Sequence, residues 1–403
     1  NHYTGNPLLN NALMTIKALS GISTISELTT ELLREMIFKV NGLLPYPLVD
    51  LNLRFKSYTM IFTKNGPLYN DKKYGKTIYQ KLLIKIIDGF ETIGDKTCDI
   101  TGLNYSTTFA QFLLDTMLEL GIPKQEALKK DLTINRCWFP LLGGLGSDAQ
   151  SLPMSKYTYN VHPICIVLLQ FLTFSSLIYK RNLLLVDSVN FDLCEYFIKD
   201  NTNYVLKKAG MTPTKDKIDN IKDFAKGNYI LKVLDIMQDI KLDYNIIDLN
   251  LWSFSNSGNG ANCSIDRIPN SLLSRLEQLY IKNTAELSCI LKNQFYSNSF
   301  LECLNDSKDW FGLYPSKNSA GVSVNFFESY FIVTGQKMKT EIAKYIVFLI
   351  SKYKNESFDD ILEKTDAYDF KKYNYEAQFN LVLLKATRNN EWSMDYQIEI
   401  LND

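Results

Sequence analysis

The feature that most constrains this chain is an apolar run from Pro163 to Tyr179. The run is shorter than the roughly 20 residues that a membrane-spanning helix needs, and Gln170, Ser175 and Ser176 interrupt it. We therefore predict a buried helix, or a helix followed by a strand, in a protein that does not cross a membrane. With 403 residues, the chain is long enough for a large core and for more than one packing unit.

Capping signals and apolar periodicity predict a chain that is mostly helical. Asn6 followed by Pro7 marks a helix start and Gly21 marks its end. Further helices are predicted after Thr29 or Thr30 and over 77–88, 106–120, 216–240, 271–295 and 338–353. Strands are predicted at 182–187 and 248–255, and loops at 256–262 and 316–321.

These elements predict an α+β fold that is predominantly helical. A large irregular N-terminal domain is expected over residues 1–335, with a zinc-knuckle-like insertion at about 98–165, and a helical C-terminal segment over 336–403. Lysine plus arginine and aspartate plus glutamate both number 44, yet the charge is unevenly distributed. Residues 51–87 hold eight bases and one acid, whereas 354–403 hold six bases and eleven acids. Such asymmetry suits a component of an assembly with one face on a polyanion.

Basic and aromatic residues alternate from Arg54 to Lys85, which is typical of a nucleic-acid contact. Lysine and arginine neutralise phosphates, and aromatic rings stack on bases. Asn65, in an Asn-Gly-Pro turn, offers an amide for base edges. The alternative is a solvated helix face above core aromatics. The candidate phosphate contacts are Arg54, Lys56, Lys64, Lys72, Lys73 and Lys76.

A second candidate is the small polar stretch from Ser253 to Cys263. Its glycines allow backbone N–H groups to bind phosphate, and Asn256, Ser257 and Asn259 are the candidate contacts. No lysine follows the glycines as in a nucleotide-hydrolysing P-loop, so nucleotide hydrolysis is not indicated.

Seven scattered cysteines do not form a small disulfide framework. Cys98, Cys137, His162 and Cys165 would complete a zinc tetrahedron if the fold brought them together. The alternative is a set of reduced, packed cysteines with no metal and no other cofactor.

Catalytic motifs are lacking. Neither of the two histidines precedes an aspartate, and no nucleophile elbow or zinc-protease helix occurs. The prediction is a protein that is not an enzyme. Two alternatives stay open: a metal-dependent nucleic-acid enzyme built on scattered carboxylates, and a scaffold whose basic patch meets an acidic protein.

Several short stretches, in order along the chain, resemble the large subunit of type I-B CRISPR Cascade complexes. They are the opening 3–7 (YTGNP), 61–67 (IFTKNGP), 98–102 (CDITG), 139–153 (FPLLGGLGSDAQSLP) and 254–260 (FSNSGNG) leading to Ile268-Pro269. Many members of that family carry two C-x-x-C pairs. Here Thr101 and His162 stand where the second and third of those cysteines would be.

The resemblance implies a cytoplasmic, prokaryotic, non-catalytic subunit of an RNA-guided interference complex. Such a subunit binds the 5′ handle of the guide RNA and target double-stranded DNA, inspects the motif flanking the target, and helps open the duplex. Its other expected partners are the remaining Cascade subunits and a nuclease-helicase that docks on it.

Overall fold

Helix dominates the part of the chain that the structure, a computed structural model, describes. The described residues are 3–55, 73–134, 138–140, 159–179, 182–216, 218, 226–239, 248–257, 260–308, 310 and 324–336. Within them lie thirteen α-helices and six short strands, which confirms an α+β, predominantly helical fold. No helix in these ranges is long and apolar enough to cross a membrane.

The chain divides into two compact units, Asn1–Phe224 with Asp248–Arg267, and Ala225–Ile247 with Ile268–Asp403. The predicted boundary near residue 335 stays a prediction, and the segment 336–403 lies almost wholly outside the described residues. The elements of the first unit are α1 (Pro7–Ser20), α2 (Thr30–Phe38), α3 (Leu48–Arg54), α4 (Gly75–Asp88), β1 (Lys96–Thr97), β2 (Asn104–Tyr105), α5 (Phe109–Glu119), α6 (Lys124–Ala127), α7 (Pro163–Leu169), β3 (Leu177–Tyr179), β4 (Asn182–Ser188), α8 (Phe191–Met211) and β5 (Leu249–Ser257).

Helix α1 is the centre of the first unit. Asn6 accepts hydrogen bonds from the backbone of Leu8 and Leu9, and Gly21 closes the helix in the left-handed conformation, as the sequence predicts. Every residue from Leu8 to Ile16 is buried, so α1 is surrounded on all sides, as expected of a core helix. Its polar side chains are satisfied by distant partners: Asn11 Nδ2 donates to Val186 O at 3.0 Å, and Thr15 Oγ1 lies 2.7 Å from Ser175 Oγ.

A four-stranded sheet packs beside α1, in the order β3-β4-β5-β6, where β6 spans Gly260–Ile268. Strands β3 and β4 are antiparallel, with Leu177 opposite Leu184. Strands β4 and β5 are also antiparallel, with Leu183 opposite Phe254 and Ser188 opposite Leu249. The loop prediction for 256–262 is wrong at 256–257 and 260–262, because β5 continues through Ser257 and β6 already begins at Gly260; residues 258–259 lie outside the described residues.

The apolar run from Pro163 to Tyr179 forms α7, a 3-10 turn (Leu172–Phe174) and strand β3, and every residue from Pro163 to Leu177 is buried, which confirms the predicted helix and strand. Its polar residue Gln170 belongs to a buried network of hydrogen bonds. Tyr79 Oη donates to Gln170 Oε1 at 2.7 Å, and Asn52 Nδ2 donates to Tyr79 Oη at 3.1 Å and to Gln170 O at 3.0 Å. Thr173 Oγ1 donates to Asn52 Oδ1 at 2.9 Å. The network joins α3 and α4 to the C-terminal end of α7.

The second unit is helical. Its elements are α9 (Lys226–Asp239), α10 (Asn270–Lys282), α11 (Thr284–Lys292), α12 (Gln294–Asn305) and α13 (Val324–Val333). Gly227 allows α9 to cross α11, because a Cβ there would lie 1.8 Å from the Leu291 carbonyl oxygen. Phe300 packs edge-on against Trp310, with centroids 5.0 Å apart, and lies 5.8 Å from the Tyr330 ring.

Two helix predictions need correction, and one helix was missed. The single helix expected over 271–295 is interrupted at Asn283 and Asn293, whose backbones leave the helical conformation. Asn283 turns its amide back to Leu279 O, a local bond that competes with helix propagation. The helix expected from Asp216 is described only from Lys226, and Asp216 itself lies in a turn. Helix α8 was not predicted at all.

Candidate nucleic-acid interface

Arg54, the first base of the basic stretch, is an internal anchor. Its Nη2 donates to Thr212 O at 2.9 Å and to Pro213 O at 3.0 Å, and its Nε donates to Asp216 O at 3.3 Å. Its carbonyl accepts from Ile218 N at 2.8 Å. The guanidinium is therefore used within the protein, where it joins the end of α3 to the loop after α8.

Lys73 and Lys76 lie at the start of α4 and are exposed. The Lys73 Nζ lies 4.7 Å from the centroid of the Tyr74 ring, and Lys76 pairs with Asp50. An exposed ion pair contributes only about 0–1 kcal/mol, so a phosphate can compete with Asp50 for Lys76. Both ammonium groups are exposed and can contact a polyanion in this conformation.

Two aromatic residues of the stretch belong to the core. Phe55 is 3% exposed and packs edge-on against Phe174, with centroids 5.4 Å apart. Tyr79 bonds to Gln170 and stacks on Trp138. Phe55 is buried and Tyr79 is engaged by Gln170 and Trp138, so both rings pack within the protein, as the alternative of core aromatics beneath a solvated face predicts.

Helix α8 carries an exposed face that the sequence analysis missed. The buried side holds Leu193, Phe197 and Val205, and Asn190 caps the helix by accepting from Leu193 N at 3.1 Å. The opposite side, here termed the α8 face, presents the exposed side chains of Tyr196, Lys199, Asp200, Asn203, Tyr204 and Lys207. The capping asparagine followed by apolar residues at helical spacing is the signal that would have found it.

The α8 face combines rings with cations. Tyr196 is 48% exposed and Tyr204 is 38% exposed, and the Lys208 Nζ lies 5.2 Å from the Tyr204 ring centroid. The loop that follows α8 is the one that holds Arg54. The end of this face therefore lies beside the point where the chain passes into the basic stretch.

Only some of the remaining predicted contact residues lie among the residues that the structure describes. Lys56, Lys64, Asn65, Lys72 and Asn259 lie outside the described residues. Asn256 and Ser257 are described as backbone, as the last residues of β5 rather than a loop. Their predicted contacts with phosphate stay predictions.

The predicted zinc residues come together in part. Cys98 occupies the turn between β1 and β2, where Gly102, with φ of 71°, donates to Cys98 O at 2.9 Å. Hydrogen bonding from Cys165, from the side chain and backbone of Thr101 and from the backbone of His162 favours the thiolate form of Cys98. These donors, led by Cys165, lower the pKa of Cys98 to about 4, whereas the pKa of Cys165 is raised.

His162 is adjacent but turns its ring elsewhere. Its Nδ1 accepts from Ile164 N at 3.1 Å, and its Nε2 lies 2.8 Å from Glu91 O. With both nitrogens engaged by backbone, the ring as placed has no lone pair for a metal. Cys137 lies outside the described residues, and the described ranges contain no group of three or more potential metal ligands. As placed, His162 therefore presents no free nitrogen to a zinc ion, and zinc binding by the full set of four stays a prediction.

Comparison with protein-family models, with curated proteins and with solved structures found no match to this chain.

Proposed function

We propose that this protein is a non-catalytic nucleic-acid-binding subunit, namely the large subunit of an RNA-guided interference complex of the type I-B Cascade kind. The observation that carries the proposal is the local charge: residues 51–87 hold eight bases and one acid in a chain of zero net charge. Arg54 is bonded within the protein, and a stretch in which the other seven bases outnumber the one acid attracts phosphate backbones whatever their sequence.

The described residues support this proposal with two surfaces. Lys73 and Lys76 are exposed at the start of α4, and the α8 face adds lysines with exposed tyrosine rings. In the proposed complex, lysines hold phosphates, while pairing with the guide RNA reads the target. Asn65 is the proposed reader of the flanking motif, because an amide both donates to and accepts from base edges. Docking of a nuclease-helicase belongs to the same proposal.

The test is duplex binding over a range of salt concentrations. We expect replacement of Lys64, Lys72, Lys73 and Lys76 by alanine to weaken binding about equally for all sequences. The slope of log affinity against log salt should fall by about 0.9 for each phosphate that the variant no longer neutralises. Asn65→Ala should instead change the preference among flanking motifs.

A matched control replaces Lys124 and Lys129, two exposed lysines in and just after α6, by alanine. This variant has two fewer positive charges but should bind as the parent does. If the four-lysine variant also binds every duplex like the parent, the proposed interface is wrong. Duplex or RNA cleavage by the purified chain with Mg²⁺, Mn²⁺ or Zn²⁺ would favour the enzyme alternative.

A further inference from the structure

A pocket of about 390 Å³ opens beside helix α1 in the first unit. Its walls come from α1, from the 3-10 turn Ile25–Glu27 with the start of α2, from α7, from the β1–β2 turn and from the loop after α4. The buried side chains of Leu9, Leu33 and Ile164 form its floor. Phe90, which is 37% exposed, lies at its rim. The pocket therefore reaches from the surface into the core of the unit.

Hydrogen bonds hold the walls of this pocket in place. Thr4 N donates to Asn10 Oδ1 at 2.7 Å, and Asn10 Nδ2 donates back to Thr4 O at 2.7 Å, so the segment before α1 is clamped to that helix. In the β1–β2 turn, Cys98 N donates to Leu103 O at 2.8 Å and Gly102 N donates to Cys98 O at 2.9 Å. Protein interiors otherwise hold few voids larger than a water molecule, so a space of this size between fixed walls is suited to a ligand.

The lining of the pocket carries no charge. Most of its side chains are apolar, and none of the described residues that line it is an acid, a base or a histidine. Two of its threonine hydroxyls already bond to the backbone: Thr29 Oγ1 accepts from Leu32 N at 3.2 Å, and Thr101 Oγ1 accepts from Leu103 N at 3.3 Å. An ionic group that entered the pocket would lose its hydration and find no opposite charge. The lining therefore selects for neutral, apolar molecules.

We propose that this pocket binds a neutral, largely apolar small molecule of about the size of two or three aromatic rings. An apolar cavity of about 150 Å³ holds one benzene molecule, and this pocket has more than twice that volume. Binding is favoured because it removes apolar surface of both the ligand and the floor from water. No residue of the basic stretch or of the α8 face lines the pocket. The site is thus separate from the proposed nucleic-acid interface.

The experiment titrates the full chain with two fluorescent probes that share the same rings. N-phenyl-1-naphthylamine is neutral, and 1-anilinonaphthalene-8-sulfonate adds a negative charge; both become brighter in apolar surroundings. We expect saturable binding of the neutral probe to a single site, and binding of the sulfonate that is weaker by about tenfold or more, because the lining offers it no cation. The neutral probe should also raise the thermal midpoint, since a ligand of the folded state stabilises it.

Two variants place the probe in the pocket. Leu28→Trp and Leu103→Trp enlarge half-buried lining side chains on different walls, and each should weaken binding of the neutral probe by about tenfold or more, because the indole occupies the space that the ligand needs. Leu128→Trp is the matched control. Leu128 is 53% exposed just after α6 and does not line the pocket, so this variant should bind the probe as the parent does.

Three results would overturn the proposal: no saturable binding of the neutral probe by the parent, equal affinity for the sulfonated probe, or full affinity in both lining variants. Circular dichroism checks that the variants fold, and the two-probe comparison on the parent stands without them. Because the pocket shares no residue with the proposed nucleic-acid interface, probe binding and duplex binding are measured separately and fail separately.

Discussion

The two ends of helix α7 are both buried and both polar, but they are built from different chemistry. At the C-terminal end, Asn52, Tyr79, Gln170 and Thr173 bond to one another through amides and hydroxyls. At the N-terminal end, hydrogen bonding from Cys165, Thr101 and the His162 backbone lowers the pKa of Cys98 to about 4. The first end is a closed neutral network, whereas the second holds a thiol whose charged form is favoured.

This difference separates two kinds of buried polar group: those that stay neutral and stabilise the fold, and those whose charged form is favoured. Burial raises the pKa of Tyr79 far above its ordinary value, so the amide end stays neutral at physiological pH. Each of its groups has a partner, and its effect is on stability alone. The thiol end instead gathers donors on one atom and favours its charged form. The predictions below test this contrast, from the largest effect to the smallest.

Asn52→Ala should be the most damaging change at the amide end. It removes three hydrogen bonds and leaves Thr173 Oγ1 and Gln170 O with only the long bond of 3.4 Å between them, so we expect a loss of about 3 kcal/mol in the free energy of unfolding. Urea denaturation measures it. Asn203→Ala, on the exposed side of α8, is the matched control and should change stability by less than about 0.5 kcal/mol. Equal midpoints for the two variants would show that the network is dispensable.

Cys98→Ser should change how stability depends on pH. In the unfolded chain the thiol has a pKa near 9.0, and in the folded protein it is lowered to about 4. Between these values the unfolded state binds a proton that the folded state lacks, so stability rises with pH. The contribution is complete above the higher pKa and is lost as pH falls through the lower one.

The parent should therefore gain stability over Cys98→Ser by about 1 kcal/mol per pH unit, or about 2 kcal/mol from about pH 5 to about pH 7. Urea titrations at several pH values measure the slope. Cys194→Ser is the control, because burial raises the pKa of Cys194 to about 12 and it stays a thiol in both states throughout that range. Parallel curves for the parent and Cys98→Ser would remove the contrast between the two ends of α7.

Tyr79→Phe should have the smallest effect. It keeps the ring against Trp138 but removes the hydroxyl between Asn52 and Gln170, and we expect a loss of about 1 kcal/mol. Its pH dependence should match that of the parent, since the hydroxyl that it removes is neutral. A pH-dependent loss measured by urea denaturation would mean that the amide end is coupled to a titrating group.

The sequence correctly predicts those helices and strands that are determined by capping residues and apolar periodicity close by in the chain. The cap of α1 and the helix and strand within the apolar run follow from neighbouring residues, and the structure has them as expected. The break at Asn283 and the strand β6 depend on which of two local conformations tertiary packing selects, which a single sequence does not reveal.

The candidate site likewise has features that the sequence predicts and features that only the fold reveals. The spacing of Cys98, His162 and Cys165 in the sequence predicted that they lie together, and in the structure they do. What spacing does not contain is the direction of the His162 ring, which two backbone groups set. Arg54 is similar, since its partners lie 158 to 162 residues further along the chain. A local count of charge treats it as a surface cation, and only the fold reveals its use.

The burial of helix α1 by residues far along the chain has a consequence for folding during translation. Asn11 meets its partner on β4 175 residues later, and Tyr3 meets Glu195 192 residues later. A helix that is buried on every side in the folded protein therefore leaves the ribosome well before the segments that cover it. Until α8 has been made, that surface is exposed to other chains, and contacts so distant in sequence form slowly. Chaperone dependence should therefore be greatest before α8 has emerged.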